Sequence, residues 1–332
     1  MNDKSKLIIA FQGMAGAYSN MACEAYFPNS NTLACTSFED MLKCTKNGEA
    51  DYAMVPVENS LAGRVADIHH LIPESGLFIV GEHFQRVNHQ LLGLKTSKLE
   101  DLKYIKSHAQ GLAQCRKFIK KHDLIPVQHI DTAGAAEEIS RMKDPKVAAI
   151  ASNMAAKIYD LKILKNNIED AEHNTTRFLI MAKDPKKPSA NIPIPVTTII
   201  FEVRSVPAAL YKVLGGFATN GINLTKLESY IGGKDMNAAR FYVDAEGHPD
   251  TKPMQNALEE MYFYSEPSSV KIIGTYSRAR NNWYKKTQKF LHIIVIYNIY
   301  TCEGSHGRNS CQSGQVRKEA AVTMIAGCEA LR

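Results

Sequence analysis

The feature that most constrains the fold is an alternation of short apolar runs and helical stretches over residues 7–165. Apolar runs of strand length, such as Leu7–Phe11 and Asp51–Val55, are separated by stretches with helical spacing, such as Tyr18–Phe27 and Thr132–Met142. Strands that alternate with helices along a chain are typical of a mostly parallel sheet covered by helices. This part of the chain is therefore predicted to have an α/β fold.

Local signals place the ends of several elements. Ser37 is predicted to begin a helix, because Asp40 occupies the capping-box position three residues later. Pro56 is predicted to end the strand at Asp51–Val55, and a single helix is predicted near Gln110–Lys121. The remaining predicted elements of this region are strands at Thr32–Thr36, Phe78–Gly81, Tyr104–Lys106, Val127–Ile130 and Val147–Ile150, and a helix at Ala151–Ile158.

The pattern changes after a proline-rich segment. Lys183–Pro195 holds four prolines and three lysines and has little to bury, which is typical of a linker. Strand-like and helical stretches then follow in the order β-α-β-β-α-β, at Thr197–Val203, Val206–Asn220, Asn223–Ile231, Ala239–Ala245, Pro253–Tyr264 and Val270–Tyr276. This order predicts a ferredoxin-like module. We expect a first domain at residues 1–183, a linker at 184–195 and a second domain at 196–276.

The remaining residues, 277–332, fit neither pattern. They include three of the seven cysteines and a polar stretch, Glu303–Gly314. We interpret this tail as an appendage of unknown role, either disordered or a translation artefact, and expect no function from it.

Length and charge exclude several function classes. The chain has 332 residues, which corresponds to roughly two domains. Its net charge is +6, but residues 281–332 contribute +4 of it, so the first 280 residues carry only +2. A chain with this balance lacks the clustered basic residues of a nucleic-acid-binding protein.

The sequence also indicates the compartment. Neither a signal peptide nor a membrane span is predicted, since the longest apolar stretch, His292–Tyr300, is far too short to cross a bilayer. Seven scattered cysteines without CxxC pairs favour a reducing, cytoplasmic location. The pairs His69-His70 and Glu82-His83 lack the spacing of a helix-borne zinc site, so no metal site is predicted.

Three polar clusters follow predicted strands and a fourth opens the predicted strand Phe178–Ala182, at the sheet edge where open α/β folds bind ligands. They are Gly13–Gly16, Pro56–Ser60, Ser107–Gln110 with Gln114, and Asn174–Phe178. Each also has a purely structural interpretation, because glycines suit tight turns, Ser107 is a natural helix cap and paired threonines suit the start of a strand. Arg177 beside two hydroxyl groups suits binding of a carboxylate. The residues alone leave these alternatives open.

A longer set of motifs occurs in a fixed order. The motifs are Gly13 with Gly16–Ser19, Val55–Ser60 with Gly63, Ser107–Gln110 with Gln114-Cys115, Asp131–Ala133, Ala148–Ser152, and Ile168–Asp170 with Asn174–Phe178. In this order they resemble the prephenate dehydratase family, in its monofunctional bacterial form with a C-terminal ACT regulatory domain. The resemblance covers residues 7–276.

The resemblance implies both a fold and a reaction. The catalytic domain would be built like a type II periplasmic binding protein, with two α/β subdomains around a cleft and crossings near residues 75–85 and 170–178. The reaction would convert prephenate to phenylpyruvate, carbon dioxide and water in L-phenylalanine biosynthesis. Hydroxide is a poor leaving group, so a proton donor is expected. No cofactor and no metal are implied.

The resemblance also implies site residues by motif position. Thr176 would donate a hydrogen bond or relay a proton to the departing hydroxyl, with Arg177 or a water molecule polarising it, and Glu58 would be protonated or would orient Asn59. The implied catalytic residues are Thr176, Arg177, Glu58, Asn59 and Gln114. The implied substrate-binding residues are Ala17, Tyr18, Ser19, Asn59, Ser60, Ser107, Gln110, Thr132, Thr175 and Phe178.

In the second domain, the resemblance to an ACT domain implies feedback control by L-phenylalanine, bound at a dimer interface. The implied effector residues are Ala208, Ala209, Leu210, Asn223, Leu224, Glu228 and Ser229. Two signatures are altered, since Ala208 stands where glycine is usual and Tyr230-Ile231 replace an Arg-Pro pair. We expect a homodimer or homotetramer, with the strength of the feedback response open.

Two other functions are compatible with the sequence. An arogenate dehydratase would apply the same chemistry to the amino analogue of prephenate, and one acidic or neutral pocket residue could decide between the two substrates. A non-catalytic amino-acid-binding or sensing protein would use both folds for binding alone. The intact Thr175–Phe178 run favours an enzyme.

Overall fold

The computed structural model of the protein describes residues 6–232 and 238–279. The strands are β1 (Ile8–Gln12), β2 (Asn31–Cys35), β3 (Tyr52–Asn59), β4 (Gly63–Arg64), β5 (Phe78–Arg86), β6 (Gln90–Gly93), β7 (Tyr104–His108), β8 (Ile125–His129), β9 (Val147–Ala151), β10 (Lys162–Lys165), β11 (Thr175–Ala182), β12 (Pro195–Glu202), β13 (Leu224–Gly232), β14 (Ala238–Glu246) and β15 (Lys271–Ser277). The α-helices are α1 (Tyr18–Tyr26), α2 (Phe38–Asn47), α3 (Ala66–Ser75), α4 (Ala109–Gln114), α5 (Arg116–Lys121), α6 (Thr132–Met142), α7 (Asn153–Ile158), α8 (Ala209–Thr219) and α9 (Lys252–Tyr264). A short 3₁₀ helix lies at Leu99–Asp101.

Residues 8–182 form two lobes. Lobe 1 contains the strand order β5-β11-β3-β1-β2, with β4 paired to β3, and helices α1–α3. Lobe 2 contains the order β10-β6-β9-β7-β8 and helices α4–α7. The two-lobed α/β organisation is confirmed. The first crossing lies at residues 87–89 rather than near 75–85, because β5 continues to Arg86, and the second lies at residues 166–174.

Strand direction follows from these crossings. Three adjacent strands are parallel in each lobe, β2-β1-β3 and β8-β7-β9, and β2 and β8 are edge strands. The strands beside the crossings pair antiparallel, since β5 leaves lobe 1 and β11 returns to it alongside. In lobe 2, β6 and β10 are antiparallel for the same reason. The prediction of a mostly parallel sheet is therefore correct only for these three strands of each lobe.

One predicted strand end is wrong. β3 does not stop before Pro56 but runs on to Asn59, because a β-bulge lies between the register pairs Phe178–Pro56 and Arg177–Glu58. The bulge leaves Val57 as an extra residue, and a proline is tolerated beside such an irregularity because a ladder hydrogen bond is already missing there.

One predicted helix is divided. The helix expected near Gln110–Lys121 breaks at Cys115, whose backbone leaves the helical region. The second crossing segment causes the break: the Asp170 amide donates to the Gln114 carbonyl at 2.7 Å, and the Asp170 carboxylate accepts from the Lys117 amide at 3.1 Å. A distant residue thus ends one helix and caps the next. Helix α3 and strands β4, β6 and β10 were not predicted at all.

The C-terminal module consists of β12-α8-β13-β14-α9-β15. Its sheet has the order β13-β14-β12-β15 and is antiparallel throughout. Helices α8 and α9 cover one face, where Phe201, Val213, Phe217, Val243 and Met261 form a core. The ferredoxin-like βαββαβ prediction is confirmed.

The other face of this sheet packs on lobe 1. Val196, Ile200 and Tyr276 of the module share a core with Val57 and Ile68 of lobe 1. The two sheets also join edge to edge, since β15 pairs parallel with β5 at Gly274 and Ile79. A Cβ atom at Gly274 would lie 2.2 Å from the Ile79 carbonyl oxygen, so this contact requires glycine.

The start of the predicted tail belongs to the fold. Ser277 ends β15, Arg278 forms an ion pair with Glu246, and the Ala279 amide donates to the Glu82 carboxylate at 3.0 Å. The rest of the tail lies outside the described residues. Every helix within residues 6–232 and 238–279 is too short or too polar to span a bilayer.

Candidate active site

A cavity of about 600 Å³ lies between the two lobes. The carboxyl ends of β3 and β7, the start of β11 and the first turns of α1, α4 and α6 contribute to its wall. Of the predicted site residues, those that line it are Ala17, Tyr18, Ser19, Asn59, Gln110, Gln114, Thr132, Thr176 and Phe178. The structure therefore brings together residues from five of the six sequence motifs.

Thr176 and Asn59 form the centre of this wall. They are register partners across β11 and β3, and the Asn59 side-chain amide donates to the Thr176 hydroxyl oxygen at 3.0 Å. The Asn59 carbonyl oxygen accepts from the backbone amides of Leu61 and Ala62 at 3.0 Å and 2.9 Å, which fixes the orientation of the amide group. Since the hydroxyl oxygen of Thr176 already accepts a hydrogen bond, its proton is available to a group in the cavity.

The β-bulge explains why Asn59 faces the cavity. Without it, strict alternation would place Pro56 and Asn59 on opposite faces of β3. The extra residue, Val57, lets Pro56 and Asn59 both line the cavity, while Val57 and Glu58 both face the C-terminal module.

A chain of neutral side chains continues from Asn59 to the first crossing. The Asn59 amide also donates to the Asn174 side-chain oxygen at 2.7 Å, and the Asn174 amide donates to Gln114 Oε1 at 2.8 Å. His89 Nε2 lies 2.7 Å from the same Gln114 oxygen, and His89 Nδ1 lies 2.9 Å from the Tyr18 hydroxyl. This chain links both lobes and both crossings.

The contacts of His89 define its protonation. Burial lowers the pKa of His89 and outweighs the opposing effects of Gln114 and Glu169, so the ring is neutral near pH 7. A carbonyl oxygen next to Nε2 requires the proton there, so Nδ1 is unprotonated and lies 2.9 Å from the Tyr18 hydroxyl, which also donates to the Asn88 carbonyl at 2.9 Å. Burial likewise raises the pKa of Tyr18, so the phenol stays protonated. This row of hydrogen-bonded side chains, from Asn59 to Tyr18, therefore contains no ionised group.

Helix N-termini from both lobes reach the cavity. In lobe 1, Ala17 precedes α1, and no side chain caps the helix there. In lobe 2, Thr132 begins α6, after Asp131, which accepts from the Gly134 amide. Among the described residues of the cavity wall, Arg64 is the one Lys or Arg. Backbone amides, neutral donors and one arginine are therefore the groups that could bind an anion.

The lobes are also held together beside the cavity. Ser152 of lobe 2 donates to the Gly16 carbonyl, and Tyr159 donates to the Ala15 carbonyl at 2.9 Å. Gly16 has a φ of +87°, and a Cβ atom there would lie 2.8 Å from the Cα of Ala155. The glycine-containing loop, one of the four clusters predicted at the ligand-binding edge of the sheet, thus makes a contact between the lobes.

Two predicted catalytic residues do not reach the cavity. Glu58 and Arg177 are each one residue away from the central pair and point to the opposite side of the β3–β11 ladder. Arg177 is 4% exposed, with its Nε 2.9 Å from Glu82 and its Nη2 2.9 Å from Asp244. Arg177 therefore cannot polarise Thr176, and Asn59 takes that place.

Glu58 is ionised rather than protonated. Burial alone would raise the pKa of Glu58, but Lys226 and Arg177 outweigh burial and hold it below its usual range. Its position behind the strand explains how a carboxylate can stand next to Asn59 without facing an anionic ligand.

Three predicted binding residues have structural contacts instead. Ser107 is fully buried and donates to the Ile150 carbonyl at 2.8 Å, and His108 rather than Ser107 caps α4. Ser60 donates to the His173 carbonyl at 2.6 Å and accepts from the Thr175 amide at 3.0 Å. Neither these two serines nor Thr175 lines the cavity.

The predicted effector residues lie in separate places. Ala208 precedes α8 and Asn223 follows it, so about 16 Å of helix separates them. Asn223 donates to Glu246 at 2.8 Å. Glu228 faces lobe 1 instead, 3.0 Å from Lys226 and 3.4 Å from His69 Nδ1. One chain therefore does not gather these residues into one pocket, and the prediction that they form a site requires a second chain.

Several lining residues were not predicted from the sequence. Asn174 and His89 link the lobes, Arg64 and His108 add polar groups, and Ile130 is 89% exposed at the wall. Asn174 and His108 had a signal, since they lie within the predicted clusters Asn174–Phe178 and Ser107–Gln110 but were not assigned a role. Within residues 6–232 and 238–279, no group of three or more His, Cys, Asp or Glu side chains is arranged to hold a metal ion.

Comparison with known proteins places this cavity in a family context. The family model described as prephenate dehydratase matches residues 9–186. The bifunctional N-acyl-homoserine lactone acylase/prephenate dehydratase of Komagataeibacter europaeus is 48% identical over 273 residues, which cover 81% of this chain and 95% of that protein. Arogenate dehydratase/prephenate dehydratase 2 of Arabidopsis thaliana, a chloroplastic protein, is 36% identical, with 83% of this chain and 74% of that protein covered.

A solved structure of a prephenate dehydratase is also similar to this chain. The crystal structure of prephenate dehydratase from Arthrobacter aurescens in complex with L-Phe has a TM-score of 0.75 and 25% identity. The match covers 87% of this chain and 99% of that one, so it includes the C-terminal module as well as both lobes.

Proposed function

The chain belongs to the prephenate dehydratase family, and we propose that its interlobe cavity converts prephenate to phenylpyruvate, carbon dioxide and water. The observation that carries this proposal is the Asn59–Thr176 pair, which presents a hydroxyl proton at the centre of the cavity. The product is the keto acid from which L-phenylalanine is made.

The chemistry needs one proton and correct placement. The ring carboxylate leaves as carbon dioxide, its bonding electrons complete the aromatic ring, and the ring hydroxyl departs. The prephenate dianion and one proton thus give the phenylpyruvate anion, carbon dioxide and water. Thr176 donates its hydroxyl proton, or a hydrogen bond, to the departing oxygen. Asn59 donates to the Thr176 oxygen and so stabilises the charge that develops on it.

The substrate's two carboxylates are bound mostly by backbone amides and neutral side chains, with one arginine. The α1 and α6 N-termini approach from opposite lobes, and Gln110, Gln114 and Arg64 add donors. Because both lobes contribute, their closure would exclude water from the reacting carbon. The roles of Ala17, Tyr18, Ser19, Thr132 and Phe178 are to shape and orient this pocket.

L-Phenylalanine is the proposed effector. The Arthrobacter aurescens relative is described in complex with L-Phe, and the matched region includes the ferredoxin-like module. The separation of Ala208 from Asn223 supports a site completed by a second chain, and hence a homodimer or a homotetramer. Ala208 has a φ of +60°, the region that favours glycine, so the alanine there adds backbone strain as well as one methyl group.

Arogenate is an alternative substrate of the same cavity. Several relatives at 36–37% identity are named arogenate dehydratases or arogenate/prephenate dehydratases. Arogenate carries an ammonium group in place of the side-chain ketone, and Asp67 and Asp131 of the cavity wall are the acidic groups that could bind it. We expect a preference for prephenate, because the 48% identical relative is named a prephenate dehydratase and not an arogenate dehydratase.

A second candidate activity is hydrolysis of N-acyl-homoserine lactones. The 48% identical relative carries this activity in its name, and the chain covers 95% of that protein. Water would add to the amide carbon, and the amide C–N bond would break to release a fatty acid and homoserine lactone. Exposed Ile130 at the cavity wall suits an acyl chain. Mass-spectrometric detection of homoserine lactone, with the Thr176 variant below, would show whether such an activity exists and shares the cavity.

The decisive experiment compares two adjacent threonines. Thr176→Val removes the hydroxyl in the cavity, whereas Thr175→Val removes one that does not line it. We expect prephenate turnover, followed as phenylpyruvate absorbance, to fall at least about 100-fold in Thr176→Val and less than threefold in Thr175→Val. Near-normal turnover by Thr176→Val would contradict the assigned role.

Parallel measurements separate the alternatives. Arogenate is supplied in place of prephenate, and both reactions are repeated with L-phenylalanine. Faster turnover of arogenate would change the substrate but not the mechanism. No turnover of either compound, together with binding of L-phenylalanine, would favour the non-catalytic sensing function. The cytoplasmic location stays a prediction.

A further inference from the structure

The side of the β3–β11 ladder that faces the C-terminal module carries a largely buried group of charges, the rear charge cluster. Its members are Glu58, Glu82, Arg177, Lys226, Glu228 and Asp244. Four carboxylates surround two cations there, and none of these side chains lines the cavity. The proposed dehydration reaction leaves this cluster without a role.

Two members come from the module. Asp244 of β14 has no exposed surface, lies 2.9 Å from Arg177 Nη2, and accepts from the Thr198 hydroxyl at 2.6 Å. Lys226 of β13 is 6% exposed and forms a close ion pair with Glu58. The module therefore contacts β11 through Arg177 and β3 through Glu58.

These two contacts are next to the proposed reacting pair. Glu58 and Arg177 are register partners, and so are Asn59 and Thr176 directly beside them. Peptide bonds join Glu58 to Asn59 and Thr176 to Arg177. A shift of Glu58 relative to Arg177 therefore changes the distance between Asn59 and Thr176.

Packing alone does not explain the cluster. The module already shares an apolar core with lobe 1, in which Val196, Ile200 and Tyr276 take part. Buried ion pairs add little net stability over apolar residues of similar size, but they demand a particular geometry. The cluster lies directly behind Asn59 and Thr176, so its fixed geometry can hold these two residues in place.

We propose that Asp244 and Lys226 are positioning residues for the reaction in the cavity. They hold Arg177 and Glu58 in register and thereby set the hydrogen bond from Asn59 to Thr176. The module is then a structural part of the site, and a change in its placement on lobe 1 alters turnover. This inference rests on the proposed function.

The test uses two variants that weaken the cluster and one matched control. Asp244→Asn and Lys226→Met each remove a charge of the module that faces β3 or β11. The control is Arg240→Met on β14, because Arg240 also forms ion pairs at this interface, 2.7 Å from Glu202 and 3.9 Å from Glu74, away from Thr176. All variants are made in the full chain.

Kinetics and amide hydrogen exchange are measured on each. We expect kcat for prephenate to fall at least tenfold in Asp244→Asn and Lys226→Met, with KM changed less than threefold, and with partial recovery in Asp244→Glu and Lys226→Arg. Exchange should increase in peptides covering residues 55–60 and 175–182. Arg240→Met should show neither effect, even where its melting temperature falls as much.

The outcomes separate this inference from the proposed function. Absence of prephenate turnover in the unmodified chain would overturn the proposed function, and the exchange comparison would still decide whether the module orders β3 and β11. Normal kcat and unchanged exchange in Asp244→Asn and Lys226→Met would overturn the positioning role. Equal losses in Arg240→Met would also overturn it, since they would indicate general destabilisation.

Discussion

The two faces of the β3–β11 ladder have opposite chemistry although their residues alternate in sequence. The cavity face presents neutral groups, Asn59 and Thr176, whereas the rear face presents the charged pair Glu58 and Arg177. A neutral face can lie against a dianionic substrate without repelling it. A charged face can be buried only where opposite charges meet it, and the C-terminal module supplies them. Under the proposed function, Asn59 and Thr176 therefore take part in the reaction, whereas their neighbours Glu58 and Arg177 bind the C-terminal module.

The largest expected effect concerns the rear face. Arg177→Met leaves Glu58, Glu82 and Asp244 close together without their shared cation. Breaking a buried ion pair from one side costs roughly 3–5 kcal/mol, so we expect the free energy of unfolding in urea to fall by about that amount. The pKa of Arg177 is raised because its three carboxylates outweigh burial, so no change of pH in the usual range mimics this variant.

Arg64→Met is the control for this prediction. Arg64 lines the cavity, but its side chain is 51% exposed and lies 3.9 Å from Glu228. Ion pairs of this kind contribute about 0–1 kcal/mol, so the stability should hardly change. If Arg177→Met kept its stability and lost only its turnover, Arg177 would have a role in the reaction. That result would contradict the separation of a reactive cavity face from a structural rear face.

This division marks the limit of what the sequence could predict. The α/β alternation, the βαββαβ order and the Ser37 cap follow from local patterns, and the structure has all three, including the hydrogen bond from the Asp40 amide to Ser37. The run Glu58-Asn59-Ser60 was predicted to follow a strand that ends before Pro56, whereas Glu58 and Asn59 are the last two residues of that strand. Which of its side chains faces the cavity depends on the bulge at Val57, and a bulge has no signal in this sequence.

Long-range contacts account for the other differences. The break at Cys115 depends on Asp170, and the inclusion of His89 in the site depends on where the first crossing falls. Asp170 is 55 positions from Cys115, and Gln114, the partner of His89 in the site, is 25 positions from His89. The motif Thr175–Phe178 predicted the correct place for the site, but only the alternation of β11 separates Thr176 from Arg177.

A smaller effect is expected on the cavity face. Asn59→Ala removes the donor to Thr176 and the acceptor for the Leu61 and Ala62 amides. We expect kcat for prephenate to fall about tenfold, equivalent to roughly 1.4 kcal/mol of transition-state stabilisation, with a comparable loss in the free energy of unfolding.

Ser60→Ala is the matched control, since Ser60 is adjacent, its side chain also hydrogen-bonds to backbone groups, at His173 and Thr175, and it does not line the cavity. It should lose stability without the loss of kcat. A proportional loss of kcat in Ser60→Ala would show that turn geometry, rather than the Asn59 amide, supports Thr176.

The smallest expected effect is a difference in acid stability. Burial alone would raise the pKa of Asp244, but Arg177, Thr198 and Lys226 outweigh burial and hold it below its usual range, and Glu58 is lowered by Lys226 and Arg177 in the same way. A carboxylate with a lowered pKa contributes stability at pH values above its unfolded pKa of about 4. That contribution is lost as the pH falls through the lowered value. The free energy of unfolding of the unmodified chain should therefore decline steeply below about pH 4.

Asp244→Asn isolates this contribution. The pKa values of His69, His83 and His89 are all lowered, chiefly by burial, so their unfolded forms take up protons first and stability already declines below about pH 6.5. Both proteins share that decline, and it cancels in their difference. Urea unfolding midpoints measured from about pH 2.5 to 5.5 should stay a constant distance apart above about pH 4 and converge below it, because only the unmodified chain loses the Asp244 carboxylate. Parallel curves would mean that Asp244 titrates normally and that the rear face is not held by its charges.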